Sequence, residues 1–537
     1  MDDTKLTVEE VQQQISTAIP GTVITLPKGS YGESLVFENK HGKDDKLITL
    51  TGDSDNEAYH AILDGGMEFA DFNPDTNRIV YEIEQRGIKE FEKEEDRPYP
   101  GLHHIADRAL LVIRNCSYLR IREFSLMRGW PTLIYIENSH HICLEDLSLV
   151  DGTFAIFCRG EDCHEIQVSN CRWVQDKSKK MLWQGCAWRQ IHNPPVDPEG
   201  DFRAFDGGFF HGDKISGNVL IENNVISDAF NGIQLWSYDP DEYPLEKLLT
   251  LNRNVVIRNN SFYNIRDNAV EPERSAYNWW VYHNNINNCH KAFSLDLTVY
   301  QYVYIFGNLI WSDSRQGAPS GDDNRGGAVF KLKCRENHEL LAPIYFFHNS
   351  IYSRMTYVKK RGLHHLKHFA NAIEMCRPEL HAHDFQSFEP NKALFGDKFL
   401  EKRDVYVGMN FSDDCFSSTW WQLEQDIIHR KLKEVTGKQS ERRKLEERLS
   451  QFEFLERAPL KCAIFSDGAK GQLDLRSQLE LSDLVTEEVE IELPDGEKRP
   501  IQAALPGAIQ GGERFEPEFA SVESINPLWN KPEWKKI

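Results

Sequence analysis

Four short segments, IQLW (Ile233–Trp236), VEPE (Val270–Glu273), FSLD (Phe293–Asp296) and FKLK (Phe330–Lys333), can be laid on one another without gaps. The first and third residues of every segment are apolar. In extended conformation alternate residues face opposite sides of a sheet, so these apolar residues are expected to face a core. The other residues form two outward columns, Gln234, Glu271, Ser294, Lys331 and Trp236, Glu273, Asp296, Lys333. Strands stacked about 4.8 Å apart would gather these columns into one compact surface patch.

A second motif recurs beside these segments and contains a regularly placed asparagine. Its copies are IENNVI (221–226), IRNNSF (257–262), YHNNIN (282–287), IFGNLI (305–310) and FFHNSI (346–351), which align Asn224, Asn260, Asn285, Asn308 and Asn349. Upstream, IREFSL (121–126), LEDLSL (144–149) and VSNCRW (168–173) continue the series at intervals of 23 and 24 residues. A repeat of about 23 residues with short β segments is typical of a parallel β-helix. We interpret the asparagines as a structural ladder that satisfies buried backbone groups.

The repeat also predicts the domain organisation. Apolar residues at helical spacing follow Thr7, a candidate N-cap, so residues 1–20 are expected to cap the open end of the solenoid. Residues 21–415 are expected to form the β-helix, with loop insertions at 174–218, 237–251 and 312–327. Loops on one face of a solenoid often build its binding cleft. A charged helical insertion is predicted at 416–460, and a C-terminal coil and tail at 461–537.

Composition excludes several classes of partner. The net charge is −22, from 84 acidic against 62 basic residues, which disfavours nucleic acid and anionic membrane as partners. The longest apolar runs fall short of a membrane span of about 18 residues. Eleven cysteines without CxxC pairs argue against a disulfide framework and a zinc ribbon. The N-terminus has neither the basic nor the apolar region of a secretory signal, and the oligomeric state is left open.

These motifs, together with GTVITLPKGSY (21–31) and ALPGAIQGG (504–512), are similar to those of a known protein superfamily. It resembles the bacterial right-handed parallel β-helix proteins of the pectate-lyase-like superfamily, over roughly residues 15–360 and 495–512. The resemblance implies an all-β solenoid with a single-stranded, right-handed parallel β-helix, activity on polysaccharides, and export from the cell. Members include polygalacturonase-like and other glycoside hydrolases, chondroitinase-B-like and alginate lyases, and epimerases.

The lyases of this superfamily differ from the chain at the decisive positions. The chondroitinase-B-like group has two calcium-binding acids on one coil, a catalytic Lys close after them, and an Arg on the next coil. Glu271 and Glu273 match the acid pair, but Arg274 and Ser275 follow them and Asp296 stands on the next coil. The lyase mechanism is therefore not transferred, and the epimerase signature DPHD is absent.

The candidate catalytic residues are Glu271, Glu273 and Asp296. Hydrolysis of a glycosidic bond commonly uses two carboxylates, one as acid and the other as base or nucleophile. Glu273 and Asp296 share a column on adjacent coils, so their Cβ atoms are expected about 5 Å apart. Mutual repulsion among such acids should raise one pKa and leave a general acid at neutral pH.

Further side chains around the acids are candidates for substrate binding. They are Trp236, Gln234, Asp267, Arg274, Lys331, Lys333 and His211. Trp236 offers a flat face for a sugar ring, and the lysines would hold carboxylates ionised or bind an anionic substrate group. His211 is assigned to the insertion at 174–218. No metal or cofactor is assigned; SGDDN (320–324) could bind calcium, although a solvated acidic loop is the simpler interpretation.

Three functions are compatible with this pattern. The leading hypothesis is a glycoside hydrolase that cleaves a polysaccharide or oligosaccharide by carboxylate acid/base catalysis. The first alternative is a polysaccharide lyase that acts on a uronic-acid polymer by β-elimination, with Lys331 or Lys333 as the base. The second is a non-catalytic carbohydrate-binding β-helix. The sugar and the linkage are not specified by the sequence.

Overall fold

A computed structural model describes a large part of the chain, including most of the repeat region. The described residues are 7–53, 61–66, 109–129, 132–175, 207–238, 243–311, 328–334, 343–353, 356–359, 366–375, 415–417, 429–435, 439–450, 465–467, 470–475, 488–502, 504–510 and 512–517.

Short parallel strands, three to a coil, wind these residues into the predicted β-helix. Sheet one consists of β3 (Leu35–Glu38), β6 (Leu111–Arg114), β9 (Thr132–Glu137), β12 (Phe154–Arg159), β15 (Gly208–Asp213), β18 (Asn231–Trp236), the first halves of β21 (Asn268–Tyr282) and β23 (Lys291–Phe306), β25 (Ala328–Cys334) and β28 (Thr356–Lys359).

Sheet two follows sheet one in each coil, and β21 and β23 run through the corner into it. It consists of β1 (Val23–Leu26), β4 (Ile48–Gly52), β7 (Ser117–Arg122), β10 (His140–Glu145), β13 (His164–Ser169), β16 (Gly217–Glu222), β19 (Arg253–Arg258), the second halves of β21 and β23, β26 (Ile344–Phe347) and β29 (Leu366–Phe369).

Sheet three closes each coil with its shortest strands. It consists of β2 (Gly29–Tyr31), β5 (Ala61–Asp64), β8 (Ser125–Met127), β11 (Ser148–Val150), β14 (Arg172–Val174), β17 (Val225–Ser227), β20 (Ser261–Tyr263), β22 (Asn285–Asn287), β24 (Leu309–Trp311), β27 (Ser350–Ser353), β30 (Ala372–Met375) and β31 (Cys415–Ser417).

Apolar residues stack in register through the interior of the coils. One such column in sheet one is Ile134, Ile156, Phe210, Ile233, Val270, Phe293 and Phe330, each at most 1% exposed. Burial of one such side chain contributes about 1.5–3 kcal/mol, so the columns supply much of the folding free energy. Six buried cysteines in the described residues are unbridged thiols, and all of them except Cys143 belong to the same interior cluster.

The alignment of the four central segments is confirmed by the strand register. Gln234 pairs with Glu271 and Trp236 with Glu273 across β18 and β21. Glu273 then pairs with Asp296 across β21 and β23. Ser294 pairs with Lys331, and Asp296 with Lys333, across β23 and β25. The strand register of sheet one therefore aligns these residues in the two predicted columns.

The asparagine ladder runs along the corner between sheets two and three. Its members are Asn224, Asn260, Asn284, Asn308, Asn349 and Asn371, separated by 36, 24, 24, 41 and 22 residues. At each step the side-chain oxygen accepts hydrogen bonds from the backbone N–H and the amide group of the asparagine one coil earlier, as Asn260 does from Asn224 at 3.0 and 2.9 Å. The ladder thus satisfies buried backbone groups, as predicted.

One ladder member was predicted wrongly. Asn284 occupies the position that the alignment gave to Asn285. The residue before each ladder asparagine adopts a left-handed backbone, with φ of 56° at Asn259 and 57° at His283. This corner places Asn284 inside, whereas the side chain of Asn285 is half-buried and accepts a hydrogen bond from Arg514.

Helices lie outside the coils. Helix α1 (Val8–Thr17) begins at a capping box formed by Thr7 and Glu10, and it buries Val11 and Ile15 against the main core. Helix α2 (Leu245–Leu248) is a single turn. Helix α3 (Gln439–Ser450) lies within the predicted helical insertion and packs Leu445 against the core. No helix among the described residues is long and apolar enough to cross a membrane.

One boundary differs from the prediction. The insertion at 174–218 was drawn too long, because β15 and the start of β16 fall inside it. The long interval between repeats suggested a loop there, but a Cβ on Gly207 would stand 2.2 Å from the carbonyl oxygen of Thr153, so close packing between coils requires glycine. Residues 176–206 and the whole insertion at 312–327 lie outside the described residues.

The described strands of the C-terminal region pair with one another and join none of the three sheets of the solenoid. They form three antiparallel hairpins: β32 (Phe465–Asp467) with β33 (Gln472–Leu475), β34 (Val489–Glu492) with β35 (Lys498–Ile501), and β36 (Ile509–Gln510) with β37 (Glu513–Arg514). Ile491 and Phe515 pack against an aromatic cluster that includes Trp280 and Tyr345. Tyr304 also donates a hydrogen bond to the Glu492 carbonyl at 2.6 Å. The second hairpin and Phe515 therefore cover part of the outer face of sheet two, whereas Phe465 and Leu473 of the first hairpin pack with Tyr352 of sheet three.

The two adjacent asparagines give a direct test of the ladder. In Asn284→Ala, the backbone N–H of Asn260 and the carbonyl of Ile257 lose buried partners, so we expect a loss of about 2–4 kcal/mol in the free energy of unfolding. Asn285→Ala removes the bond to Arg514 at a half-buried site and should cost about 1 kcal/mol. Urea unfolding of both variants checks this, and equal losses would contradict the ladder assignment.

Candidate active site

Two neighbouring glutamates on β21 share a single amide group. Gln234 on the preceding coil lies opposite Glu271, and its Nε2 donates to Glu271 Oε2 at 3.1 Å and to Glu273 Oε2 at 3.4 Å. From the other side, Ser294 Oγ donates to Glu271 Oε1 at 2.7 Å. Lys331 Nζ lies 3.6 Å from the same oxygen. The register of three coils therefore builds a cage of polar groups around Glu271.

Glu271 and its direct neighbours are buried, which the sequence did not predict. Glu271, Gln234 and Ser294 are 3%, 2% and 0% exposed, whereas the alternation pattern suggested a surface patch. Alternation specifies which side of the strand a residue faces, but not what lies over that side. Glu273 is half-buried, so it is the more accessible of the two carboxylates.

Burial gives Glu271 an unusual proton affinity. The pKa of Glu271 is raised to about 7, chiefly by loss of water contact and next by the nearby charge of Glu273. Lys331 and the hydrogen bond from Ser294 oppose this rise. Repulsion between acids was predicted to produce one carboxyl of high pKa, and here burial contributes more than repulsion. Glu271 is consequently about half protonated near neutral pH.

His211 lies in the same column, one coil before Gln234. The prediction placed it in an insertion, but it belongs to β15 and pairs in register with Gln234. Its Nδ1 lies 3.2 Å from Gln234 Oε1, and its ring stacks on Phe157 at 4.6 Å. Because Gln234 Oε1 accepts here, its Nε2 is left to face the carboxylates. His211 therefore orients the amide that joins the two glutamates.

The second column carries the aromatic residue and the third acid. Trp236 and Glu273 are register neighbours, and Asp296 and Lys333 continue the column on β23 and β25. The side chains of Asp296 and Lys333 lie outside the described part of the chain. The guanidinium carbon of Arg274 stands 6.0 Å from the Trp236 ring, and Arg274 Nη1 donates to the Ser237 carbonyl at 3.3 Å.

Asp267 is held by a lysine that the sequence pattern did not single out. Lys291 Nζ lies 2.5 Å from Asp267 Oδ1, and both residues are buried. Lys291 precedes the alternating segment on β23, so the alignment of four residues did not reach it. Asp267 also affects the active-site candidate directly, because its negative charge helps to raise the pKa of Glu271.

Comparison with known proteins agrees with the coil architecture. Residues 109–310 match a protein-family model described as a right handed beta helix region. A search of curated protein sequences found no match. The family match and the sheet topology establish a right-handed parallel β-helix and leave the activity open.

Several solved structures are similar at low identity. A family PL6 polysaccharide lyase from Pseudopedobacter saltans has 11% identity and a TM-score of 0.37, over 69% of this chain and 83% of that one. A hyperthermoactive exopolygalacturonase from Thermotoga maritima has 10% identity and a TM-score of 0.34, over 69% and 91%. XylC in complex with xylose has 12% identity and a TM-score of 0.42, over 95% and 96%.

The raised pKa of Glu271 makes a stability prediction. The pKa of Glu271 is about 7 in the folded protein and 4.5 in the unfolded chain, so the folded state binds this proton more tightly. The resulting stabilisation of the folded state is fully present below pH 4.5 and is lost as the pH rises through about 7. Relative to Glu271→Gln, the wild-type protein should therefore lose about 3 kcal/mol of unfolding free energy between those pH values.

Urea unfolding of both proteins at several pH values measures this difference. Glu222→Gln on sheet two is the matched control, because Glu222 is half-buried and ion-paired with Arg258 at 2.7 Å, whereas Glu271 is buried. A pH-independent difference between the wild type and Glu271→Gln would contradict the assigned pKa.

Proposed function

We propose that the protein is a glycoside hydrolase that cleaves a polysaccharide or oligosaccharide by carboxylate acid/base catalysis. The observation that carries this proposal is the Glu271–Glu273 pair joined by Gln234, in which one carboxyl is buried with a pKa of about 7 and the other is half-buried. Glycosidic hydrolysis commonly uses two carboxyl groups, one to protonate the leaving oxygen and one to act ionised.

Glu271 is proposed as the general acid. Near neutral pH, Glu271 is protonated in a large fraction of the protein molecules, and this proton is available to the leaving oxygen. When that proton leaves, the new carboxylate already faces Lys331 and the hydrogen bonds of Gln234 and Ser294. Such groups stabilise the developing charge without rearrangement at the moment of reaction.

Glu273 is proposed as the ionised partner, and Asp296 as the third acid of the set. The exposure of Glu273 suits it to act at the anomeric carbon, either directly or through a water molecule. Asp296 follows Glu273 in the register, so its backbone lies one strand spacing away, about 4.8 Å.

The surrounding residues suggest a sugar that carries a negative charge. Trp236 offers an aromatic face for a sugar ring, beside the guanidinium of Arg274. Lys331, with Lys333 two residues on, places basic residues on the coil after the acids. Guanidinium and ammonium groups are suited to carboxylate or sulfate, so we propose an anionic polysaccharide or oligosaccharide as the substrate.

A polysaccharide lyase is the second candidate, and the row of lysines favours it. Lys331 pairs in register with Lys359 on the next coil. In β-elimination a base removes the C5 proton while cations neutralise the uronate. However, Lys331 Nζ lies 3.6 Å from Glu271 Oε1, so this lysine is already engaged with a carboxyl group of the site.

Amide substitutions test the proposed roles. Glu271→Gln and Glu273→Gln keep the shape but remove the acid chemistry, so each should lower kcat at least about 100-fold. Asp296→Asn should also lower kcat strongly. Release of reducing ends from a panel of anionic and neutral polysaccharides measures turnover, and ultraviolet absorbance read in parallel detects the double bond that only a lyase creates.

The matched control is again Glu222→Gln, which should keep full activity on the same substrates. Full activity in both Glu271→Gln and Glu273→Gln would overturn the hydrolase assignment. Absorbing products would establish the lyase instead, and tight sugar binding without any product would establish a non-catalytic binding protein.

The pH dependence of kcat/KM tests the general acid separately. Because Glu271 must be protonated in the free enzyme, kcat/KM should fall about tenfold per unit as pH rises above about 7. Initial rates between pH 5 and 9 at low substrate concentration measure it. A profile that stays flat to pH 9 would contradict the assignment of Glu271.

A further inference from the structure

Three histidines and a glutamate cluster at a corner of the β-helix, away from the glutamate pair. His140 and His141 open β10, while His164 and Glu165 open β13 on the next coil. The corner is the one where the chain passes from sheet one to sheet two. It lies on coils that precede β15, so it is separate from the site formed by β18, β21 and β23.

The ring nitrogens of this cluster converge. One nitrogen from each of His140, His141 and His164 can be chosen so that all three lie within 4.8 Å of one another. His140 Nδ1 and His141 Nδ1 are 2.6 Å apart. Glu165 Oε2 contacts His164 Nδ1 and lies 3.6 Å from His141 Nδ1. Three imidazoles and one carboxylate thus share a small volume.

The same corner is built differently on the following coils. His141 and Glu165 adopt left-handed backbones, with φ of 56° and 49°. On later coils this position is held by Asn218, Asn254 and Asn278, whose side chains bond one another at 2.8 and 2.9 Å. An asparagine ladder can continue from coil to coil without a ligand, whereas His141 and Glu165 bring strong metal-binding groups to the same place.

We propose that His140, His141, His164 and Glu165 bind one Zn²⁺ ion. Imidazole nitrogen and carboxylate oxygen are ligands that zinc accepts in four-coordinate tetrahedral sites, with bonds of about 2.0–2.2 Å. A protein set of four ligands is typical of a closed, structural site. The ion would link two successive coils at one corner.

Small rotations of the rings bring the four groups into coordination. The rings of His140 and His164 are stacked in parallel, 4.7 Å apart, so at least one of them turns to aim a nitrogen at the ion. The terminal torsion of histidine is broad, so this rotation is inexpensive. The nitrogens of His140 and His141 then separate to the edge length of a tetrahedron, about 3.3 Å for bonds of about 2.0 Å.

The surroundings suit a metal site that exchanges with solvent. His141 is buried, while His140 and His164 are half-buried, which leaves a path for the ion. Tyr118 stacks on the ring of His141 at 4.2 Å and steadies it. His41 is placed at the same corner by a hydrogen bond between its Nδ1 and Ser117 Oγ at 3.0 Å. Outer contacts of this kind orient metal ligands.

Metal titration of the full chain tests the site. The protein, without an affinity tag and stripped with a chelator, should bind one Zn²⁺ with a Kd of about 1 µM or tighter by calorimetry. Bound Zn²⁺ should also raise the melting temperature, because it stabilises the folded state that holds the ligands together. Co²⁺ in its place should give the intense visible spectrum of a tetrahedral site.

Single substitutions locate the binding. His140→Ala and His164→Ala should each weaken Zn²⁺ binding at least about tenfold, and Glu165→Gln should weaken it while keeping the shape of the side chain. His429→Ala, which removes an exposed imidazole elsewhere, should bind as the wild type does. Circular dichroism checks that every variant is folded. If an alanine variant does not fold, Glu165→Gln, which keeps the shape of the side chain, provides the test of the site.

Two results would overturn the proposal. If the wild-type protein binds no Zn²⁺ with a Kd of about 1 µM or tighter, the proposed site is excluded, whatever the variants show. Binding that survives unchanged in His140→Ala, His164→Ala and Glu165→Gln would show an adventitious surface ion only. Neither result depends on turnover, so the test is separate from the hydrolase proposal.

Discussion

The in-register stacking of successive coils is the constraint on which the rest of this protein depends. It turns separations of 37 and 23 residues along the chain into direct contacts, as between Glu271 and its neighbours Gln234 and Ser294. Burial of the apolar columns stabilises stacking of the coils. The asparagine ladder specifies one register, because its side-chain amides form hydrogen bonds only when successive coils are aligned. A slip of one residue would move the polar columns into the core.

Register also determines the chemistry of the site. Glu271 would be an ordinary acid on an isolated strand. In the protein it lies between Gln234 on the preceding coil and Ser294 on the following coil, which both donate hydrogen bonds to it. Its carboxyl group is buried away from water and lies beside that of Glu273. Burial and the nearby negative charge raise its pKa to about 7, and the proposed acid role follows from that value. The histidine corner uses the same stacking to gather groups from two coils.

The sequence predicted the parts of this structure that depend on period and alternation. The four central segments, the outward columns and the β-helix follow from these patterns alone. Asn285 was mistaken for Asn284 because two asparagines are adjacent, and only the left-handed backbone at His283 decides which one turns inward. His211 was placed in a loop because the interval between repeats is long there, although it lies on β15 and Gly207 before it is needed for contact between coils. Burial of Glu271 depends on what lies over sheet one, which alternation does not encode.

The protonation state of Glu271 is the central claim, and infrared difference spectroscopy observes it directly. The spectrum of the wild type minus that of Glu271→Gln isolates the C=O stretching band of the protonated Glu271 carboxyl during a pH titration. We predict that this band persists at pH 6 and disappears as the pH rises through about 7. Disappearance of the band below pH 5 would contradict the account, because Glu271 would then be an ordinary ionised carboxylate at neutral pH.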